Sequence, residues 1–407
     1  MKEKLLSATA IIVILAALIG SLTWVNYLVA PQFSGGEELL VPWTAARAFL
    51  VEGNSPYALA TAHKAQIAIY GQVAEAGEYP YHLDIPFYLL FLYFPFALID
   101  NFDLARALWM SFAEIALFGI GFLCVYLTQW KTSRILSTLF YLSLLFGFYG
   151  LYPLIGGSGL IFTTLILLLC LVALREGWDE ILGILLLFGT FRLQNGGLLF
   201  LLILFWLFIT KRWRVFAIAL MSLSVLFIIS YMLLPDWFMP FLRSTLANLR
   251  AEQGFLFSEF LQIWQPDRGN LIAQILRWSV VVALFIEWRA ARGKDFPRLI
   301  WVAGLSLAFL PFLNLRVSPL SYSALFLPLA LVFKIAENRW GKRARWGIGL
   351  ILTLLLGAWG LFSRFENALQ ILAYILPAFL VLALYWLRWW FIRPPRTWVD
   401  ETAKLYK

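Results

Sequence analysis

The sequence predicts an all-α polytopic membrane protein, and three observations carry that reading. Of 407 residues, 62% are hydrophobic and only 14% are charged. Apolar runs of about 17 to 25 residues recur along the chain, the length a helix needs to cross a hydrocarbon core of about 30 Å. Trp residues gather at the ends of those runs, at Trp206, Trp213, Trp237, Trp386, Trp389 and Trp390, as anchors at a membrane–water boundary do. A soluble domain is excluded by the same composition.

Taken in order, the runs place about twelve crossing helices, with eleven to thirteen compatible, in one integral-membrane domain covering 1-407. They lie near 5-29, 104-128, 134-152, 158-174, 178-191, 195-210, 214-234, 271-288, 298-313, 318-335, 345-362 and 367-391. The first follows Lys2 and Lys4, but it is too long for a signal-peptide core and lacks a small-residue cleavage site, so it reads as a retained span. Ile85 to Ile99 is short and carries Pro86 and Pro95, which free backbone groups. It reads as a re-entrant or interfacial segment buried against protein.

With the N-terminus cytoplasmic and 85-99 not crossing, most of the 32 Lys and Arg fall on the cytoplasmic side. These include Lys131, Arg134, Arg175, Lys211, Arg212, Arg214, the Arg289 to Arg298 group, the Lys334 to Arg345 group and the basic tail. The positive-inside rule selects this arrangement, with both termini cytoplasmic and the protein in the plasma membrane. The net charge of +9 therefore reports loop orientation and gives no reason to expect nucleic acid as a partner. Membrane lipids are the expected surroundings, and a monomer is the default.

Two extracytoplasmic loops are then long, 30-103 and 235-270, and form the expected working face. In the first, Ala45 to Val51 and Tyr57 to Tyr70 read as amphipathic helices lying on the membrane surface, stopped by Gly53-Asn54 and by Gly71. The second carries Arg243, Arg250, Glu252, Glu259, Asp267 and Arg268 among aromatics, and has no apolar period long enough to span. Cys124 and Cys170 sit inside apolar runs as small buried hydrophobes, so no disulfide or metal framework is expected.

The chemistry-bearing stretch is Gly35-Gly36-Glu37-Glu38, running into Trp43-Thr44-Ala45-Ala46-Arg47 and then Gly53-Asn54-Ser55-Pro56-Tyr57. Two adjacent carboxylates at a membrane surface can do acid–base work. They are equally accounted for as ordinary first-turn acids favoured by a helix dipole. Arg192, in Phe191-Arg192-Leu193-Gln194-Asn195, and Arg316, in Asn314-Leu315-Arg316-Val317-Ser318-Pro319, are cations placed on the outer side. Each suits phosphate oxygens, and each also fits a snorkelling or loop-anchoring arginine. Glu114 lies inside a span, where an acid needs a partner or a role, and a structural polar contact is the favoured one. His82 and Asp84, beside Tyr79 and Tyr81, suit sugar hydroxyls better than a metal, since the chain holds only two histidines.

The stretch 35-57, together with the polar turn at 156-159 and the element at 191-195, resembles glycosyltransferase family 87 of the GT-C superfamily. Those enzymes take a sugar from a polyprenyl phosphate. The resemblance implies a GT-C-like bundle in which Glu38 holds the place of the family's usual aspartate, the catalytic base, with Glu37 beside it. Arg192 and Gln194 match a Lys-Pro-Gln element and imply donor-phosphate binding, with Arg316 as a further candidate. Tyr57, His82 and Asp84 become candidate contacts to the acceptor or sugar. The implied reaction moves a hexose, mannose foremost, from a polyprenyl-phosphate donor to a lipid or glycan acceptor on the extracytoplasmic face, with inversion. Neither a metal nor another cofactor is implied, the lipid-linked sugar being a substrate. A transporter or lipid flippase working near Glu114 is the competing class, and a catalytically degenerate member of the family is a further alternative.

Overall fold

The computed structural model describes residues 2–189, 193–251, 254–362 and 368–392, and every regular element within them is a helix. The single strand-like pairing among these residues is a bridge between Phe255 and Val317. Eight helices are long and apolar enough to cross a membrane: Val13–Gln32, Phe102–Thr128, Arg134–Ile155, Trp213–Leu233, Gly269–Ala291, Phe296–Leu313, Pro319–Trp340 and Ala368–Arg388. The other four expected spans fold as the shorter helices Leu160–Glu176, Asp179–Phe188, Leu193–Ile209 and Lys342–Gly357. The 10 residues of Asp179–Phe188 rise about 15 Å, roughly half a hydrocarbon core. The Arg134–Ile155 span is itself broken at Gly147, whose backbone is extended between helices ending at Phe146 and restarting at Phe148.

Burial separates centre from periphery. In Phe296–Leu313 and Pro319–Trp340, 78% of the apolar window is enclosed by protein, against 11% in Val13–Gln32 and Trp213–Leu233. The first pair forms the middle of the bundle. On the second pair, side chains such as Val13, Leu18, Leu220, Met221, Ile228 and Met232 face outward, as lipid-facing residues do. The N-terminal helix is held by polar contacts as well as packing. Thr23 and Asn26 both hydrogen-bond to Ser111 of Phe102–Thr128, at 3.1 Å each.

One end of the bundle is tied together by acids that each collect basic or indole partners. Glu287, 3% exposed, accepts from Arg298 and from Arg388 Nε at 3.0 Å, joining three helices. Glu337 accepts from Trp130 Nε1 at 2.9 Å and from Arg345 Nε at 2.6 Å. Asp179 pairs with Arg212, and Arg175 lies over the rings of Tyr126 and Phe296. The basic loops of the sequence therefore meet at one end.

The two long loops cover the other end. The first is more helical than its sequence suggests: the helix expected from Ala45 begins at Glu37 and runs to Leu50, so both glutamates lie in its first turn. The second loop, expected to hold no period long enough to span, contains the short helices Phe238–Arg250 and Phe257–Trp264. Leu59–Tyr70 ends at Gly71 in the left-handed conformation, as expected. The segment 85-99 forms short helical turns, Phe87–Leu90, Phe91–Tyr93 and Phe94–Ala97, with Phe87, Leu89, Leu90 and Ala97 fully buried. Its free carbonyls are met by side chains, as a non-spanning segment needs. Trp43 Nε1 donates to Phe96 O at 3.0 Å, and Arg47 Nη1 donates to Ala97 O and Ile99 O at 3.0 and 3.2 Å. These residues make a second apolar core beneath the loops, with Leu39, Ala45, Trp109 and Trp237.

The Glu287 clasp gives the fold a direct test. Glu287→Ala leaves two guanidinium groups facing a buried, vacated position, and loss of one member of a buried pair costs about 3 kcal/mol. Thermal unfolding followed by tryptophan fluorescence is expected to show Glu287→Ala well below wild type, with Glu287→Gln between them.

Candidate functional site

The acid pair sits where the chain leaves the first span and turns back. Gly36 caps the helix start at φ 91°, a left-handed value natural to glycine, and a Cβ there would stand 2.8 Å from Arg106 Nε. Gly157, at φ 69°, packs against Leu39 with equal closeness, a Cβ meeting the Leu39 Cβ at 3.0 Å. The turn at 156-159 is thus pressed onto the first turn of Glu37–Leu50. Helix dipoles favour carboxylates at such a position, so two acids in the first turn fit the local backbone.

Arg106 fixes this corner. It is 4% exposed, and Nη1 donates to Ala30 O at 3.2 Å and to Phe33 O at 3.4 Å. Its Nη2 donates to Ile155 O at 2.8 Å and to Phe33 O at 3.3 Å. One side chain of the Phe102–Thr128 helix therefore holds both the approach to the acids and the end of the 156-159 turn. Three residues on, Trp109 Nε1 donates to Gly157 O at 3.1 Å.

Around the acids lies a polar pocket lined by Glu37, Glu38, Pro42, Tyr79, Tyr81, His82, Asp84, Tyr93, Gly159 and Asn248. Its volume is about 20 Å³, room for about one water molecule. Tyr81 adopts φ 44°, a strained value for a side-chain-bearing residue, which turns it back onto its neighbours Tyr70 and Tyr79, at ring distances of 5.5 and 4.9 Å. Burial, and then the charge of Glu37, raise the Tyr81 hydroxyl far above its ordinary range, so it stays a neutral hydrogen-bonding group. Asn248 reaches in from the second loop. Its Oδ1 accepts from His82 N at 3.2 Å and its Nδ2 donates to His82 O at 2.7 Å. The two loops are latched together at the pocket's edge.

Beside this small pocket lies an apolar groove of about 650 Å³, lined by Leu92, Pro95, Phe96, Leu108, Trp109, Phe112, Phe162, Ile166 and Phe188. A stacked pair separates the two spaces: Tyr93 faces the polar pocket, and its ring lies 4.9 Å from that of Trp109, which lines the groove.

Of the residues singled out in the sequence, Glu37, Glu38, His82 and Asp84 share one pocket. Tyr57 is engaged elsewhere, its hydroxyl donating to Ile85 O at 2.7 Å. Burial raises that hydroxyl, with Tyr88 and Asp84 adding to the effect. Arg316 lies at the bridge between Phe255 and Val317, donating to Gly254 O at 2.9 Å and pairing with Glu259 at 3.0 Å. Arg192 falls outside the described residues; Gln194 lies in Leu193–Ile209 with its side chain outside them as well. Glu114 faces the N-terminal helix near Asn26, with no basic partner among the described residues. Arg106 and Asn248 were missed. A charge three residues into an apolar helix was a legible signal for Arg106. Asn248 carried none, because its role depends on the backbone of a residue 166 positions away.

Set against models of known protein families, functionally curated proteins and solved structures, the chain matches none of them.

Two outcomes are expected from this geometry. Asn248→Ala removes both bonds of the latch, and hydrogen exchange is expected to speed up at Tyr79 to Leu83 while the spans keep their protection. Burial, and then neighbouring His63, hold the His82 imidazole below its usual range. The unfolded chain thus takes up the proton first, so this contribution is intact above the ordinary value of about 6.5 and is lost as pH falls through the folded one. Melting temperatures measured between pH 7.5 and 5 are expected to fall more steeply in wild type than in His82→Gln.

Proposed function

We propose that the protein is an integral-membrane glycosyltransferase that moves a hexose, mannose foremost, from a polyprenyl-phosphate donor to a lipid or glycan acceptor. The observation that carries this reading is the pairing of two spaces. A polar pocket around Glu37 and Glu38 lies beside an apolar groove of about 650 Å³, the Tyr93 ring of the one stacked on the Trp109 ring of the other. A lipid-linked sugar has one part for each. The local likeness of 35-57 to glycosyltransferase family 87 points the same way, and the topology that goes with it puts this end outside and the basic end in the cytoplasm.

In the reaction, Glu38 takes the proton of the acceptor hydroxyl while its oxygen attacks the anomeric carbon. The bond to the phosphate oxygen breaks, and polyprenyl phosphate leaves as an anion. A phosphate leaving group needs no strong acid, so one base on the opposite face suffices and the product is inverted. Glu37 holds the acceptor or substitutes as base, and Tyr81, His82 and Asp84 offer hydrogen bonds to sugar hydroxyls. Arg192 with Gln194 is assigned to the phosphate; Arg316 takes part only by giving up Glu259. A pocket of about 20 Å³ does not admit a sugar, so the latch at Asn248 opens on binding.

A second reading, a transporter or lipid flippase, draws on the Glu114 Oε2, which is buried with no hydrogen-bond partner among the described residues. The deciding experiment is transfer of radiolabelled mannose from polyprenyl-phosphate-mannose into a lipid extract by membranes carrying each variant. Glu38→Gln is expected to reduce incorporation by about 10² to 10⁴-fold, the usual worth of a general base, with Glu37→Gln affected less. Equal incorporation by wild type and both variants would remove Glu38 as base. A defect in substrate movement confined to Glu114→Gln would favour the transporter.

A further inference from the structure

The basic end of the bundle holds a second polar cavity, far in the fold from the acid pair. It has a volume of about 120 Å³ and opens where the C-terminal end of Phe102–Thr128 meets the start of Phe296–Phe309 and the later part of Phe326–Trp340. Arg175, Lys334 and Gln129 enter its wall above an apolar floor that includes Ile300 and Leu331. No carboxylate lines it among the described residues.

Both cations have donors to spare. Lys334 is half-buried within an apolar helix and makes no hydrogen bond or ion pair with any described residue. An ammonium at that depth without a counter-ion is expensive. The Arg175 guanidinium lies over the rings of Tyr126 and Phe296, at 4.9 and 5.8 Å, which helps to fix its position. Its polar contacts are long, 3.5 Å to Tyr126 O and 3.6 Å to Glu176 Oε1. Glu176 is meanwhile satisfied by the Tyr126 hydroxyl at 2.9 Å.

A lysine without a partner among the described residues and an arginine held only by long polar contacts line one cavity, an arrangement that suits an anion. The volume corresponds to about four waters, which suits a phosphate group better than a sugar ring. An apolar floor and a surrounding girdle of basic loops favour a phosphate that arrives on a lipid, since anionic headgroups collect at such surfaces and between such helices. We propose that this cavity binds the phosphodiester headgroup of an anionic glycerophospholipid. Lys334 and Arg175 pair with the phosphate oxygens, and the Gln129 amide donates at the rim. The site is independent of the sugar-transfer reading.

Native mass spectrometry of the full chain, released from detergent supplemented with phosphatidylglycerol or phosphatidylcholine, tests it. Wild type is expected to retain one phosphatidylglycerol in preference to phosphatidylcholine. Lys334→Met and Arg175→Gln are each expected to weaken that retention by about tenfold, the equivalent of one charge-assisted bond. Arg243→Gln, on the exposed face of Phe238–Arg250 at the other end, is expected to leave it unchanged. Where Lys334→Met does not fold, Arg175→Gln on the rim reads the site alone. Retention undiminished in the folded variants, or equally diminished in Arg243→Gln, overturns the proposal. So does equal protection by inorganic phosphate without lipid, which would assign the cavity to free phosphate.

Discussion

The corner around Arg106 governs the working end of this protein. A guanidinium buried at the start of a membrane-spanning helix cannot turn to water for acceptors, so it must find them in protein, and the carbonyls it finds belong to three separate points of the chain. Ala30 and Phe33 lie on the way out of the first span, and Ile155 lies at the end of another. The two terminal nitrogens of one side chain thus tie together where the acid-bearing helix begins and where the glycine turn packs on it. Both acids line the pocket beside this corner, and Glu37 acts electrostatically on the Arg106 guanidinium.

The same logic of satisfying polar groups in a dry setting separates the two ends of the bundle. At the basic end, Glu287 and Glu337 draw arginines and an indole from distant helices into closed clusters. At the loop-covered end, the short helical turns of 85-99 give their carbonyls to Trp43 and Arg47. Helices too short to cross alone, such as Asp179–Phe188, are accommodated because neighbouring helices enclose them: Leu182, Leu186 and Leu187 are buried.

Much of this was readable from composition and period. Helical class, the positions of the apolar segments, the brevity of the helical turns at 85-99 and the left-handed stop at Gly71 follow from residue types that act locally. Helix length was less legible, because an apolar run says how far burial extends and not where the backbone bends, as at Gly147. In the pocket, Glu37, Glu38, His82 and Asp84 were visible as polar residues in one loop. Tyr81's strained backbone and Asn248's reach were not, the latter because it arises only when residues 82 and 248 are brought together.

Asn248 grips the backbone of residue 82 and leaves the imidazole untouched, much as a neighbouring β-strand would. The amide is therefore specific about geometry and indifferent to which side chain stands at position 82. Chemical variety at that position is compatible with an intact loop junction, whereas position 248 demands a short group that both gives and receives a hydrogen bond. The side chain at position 82 and the docking of the two loops can thus change independently, although they meet at one residue.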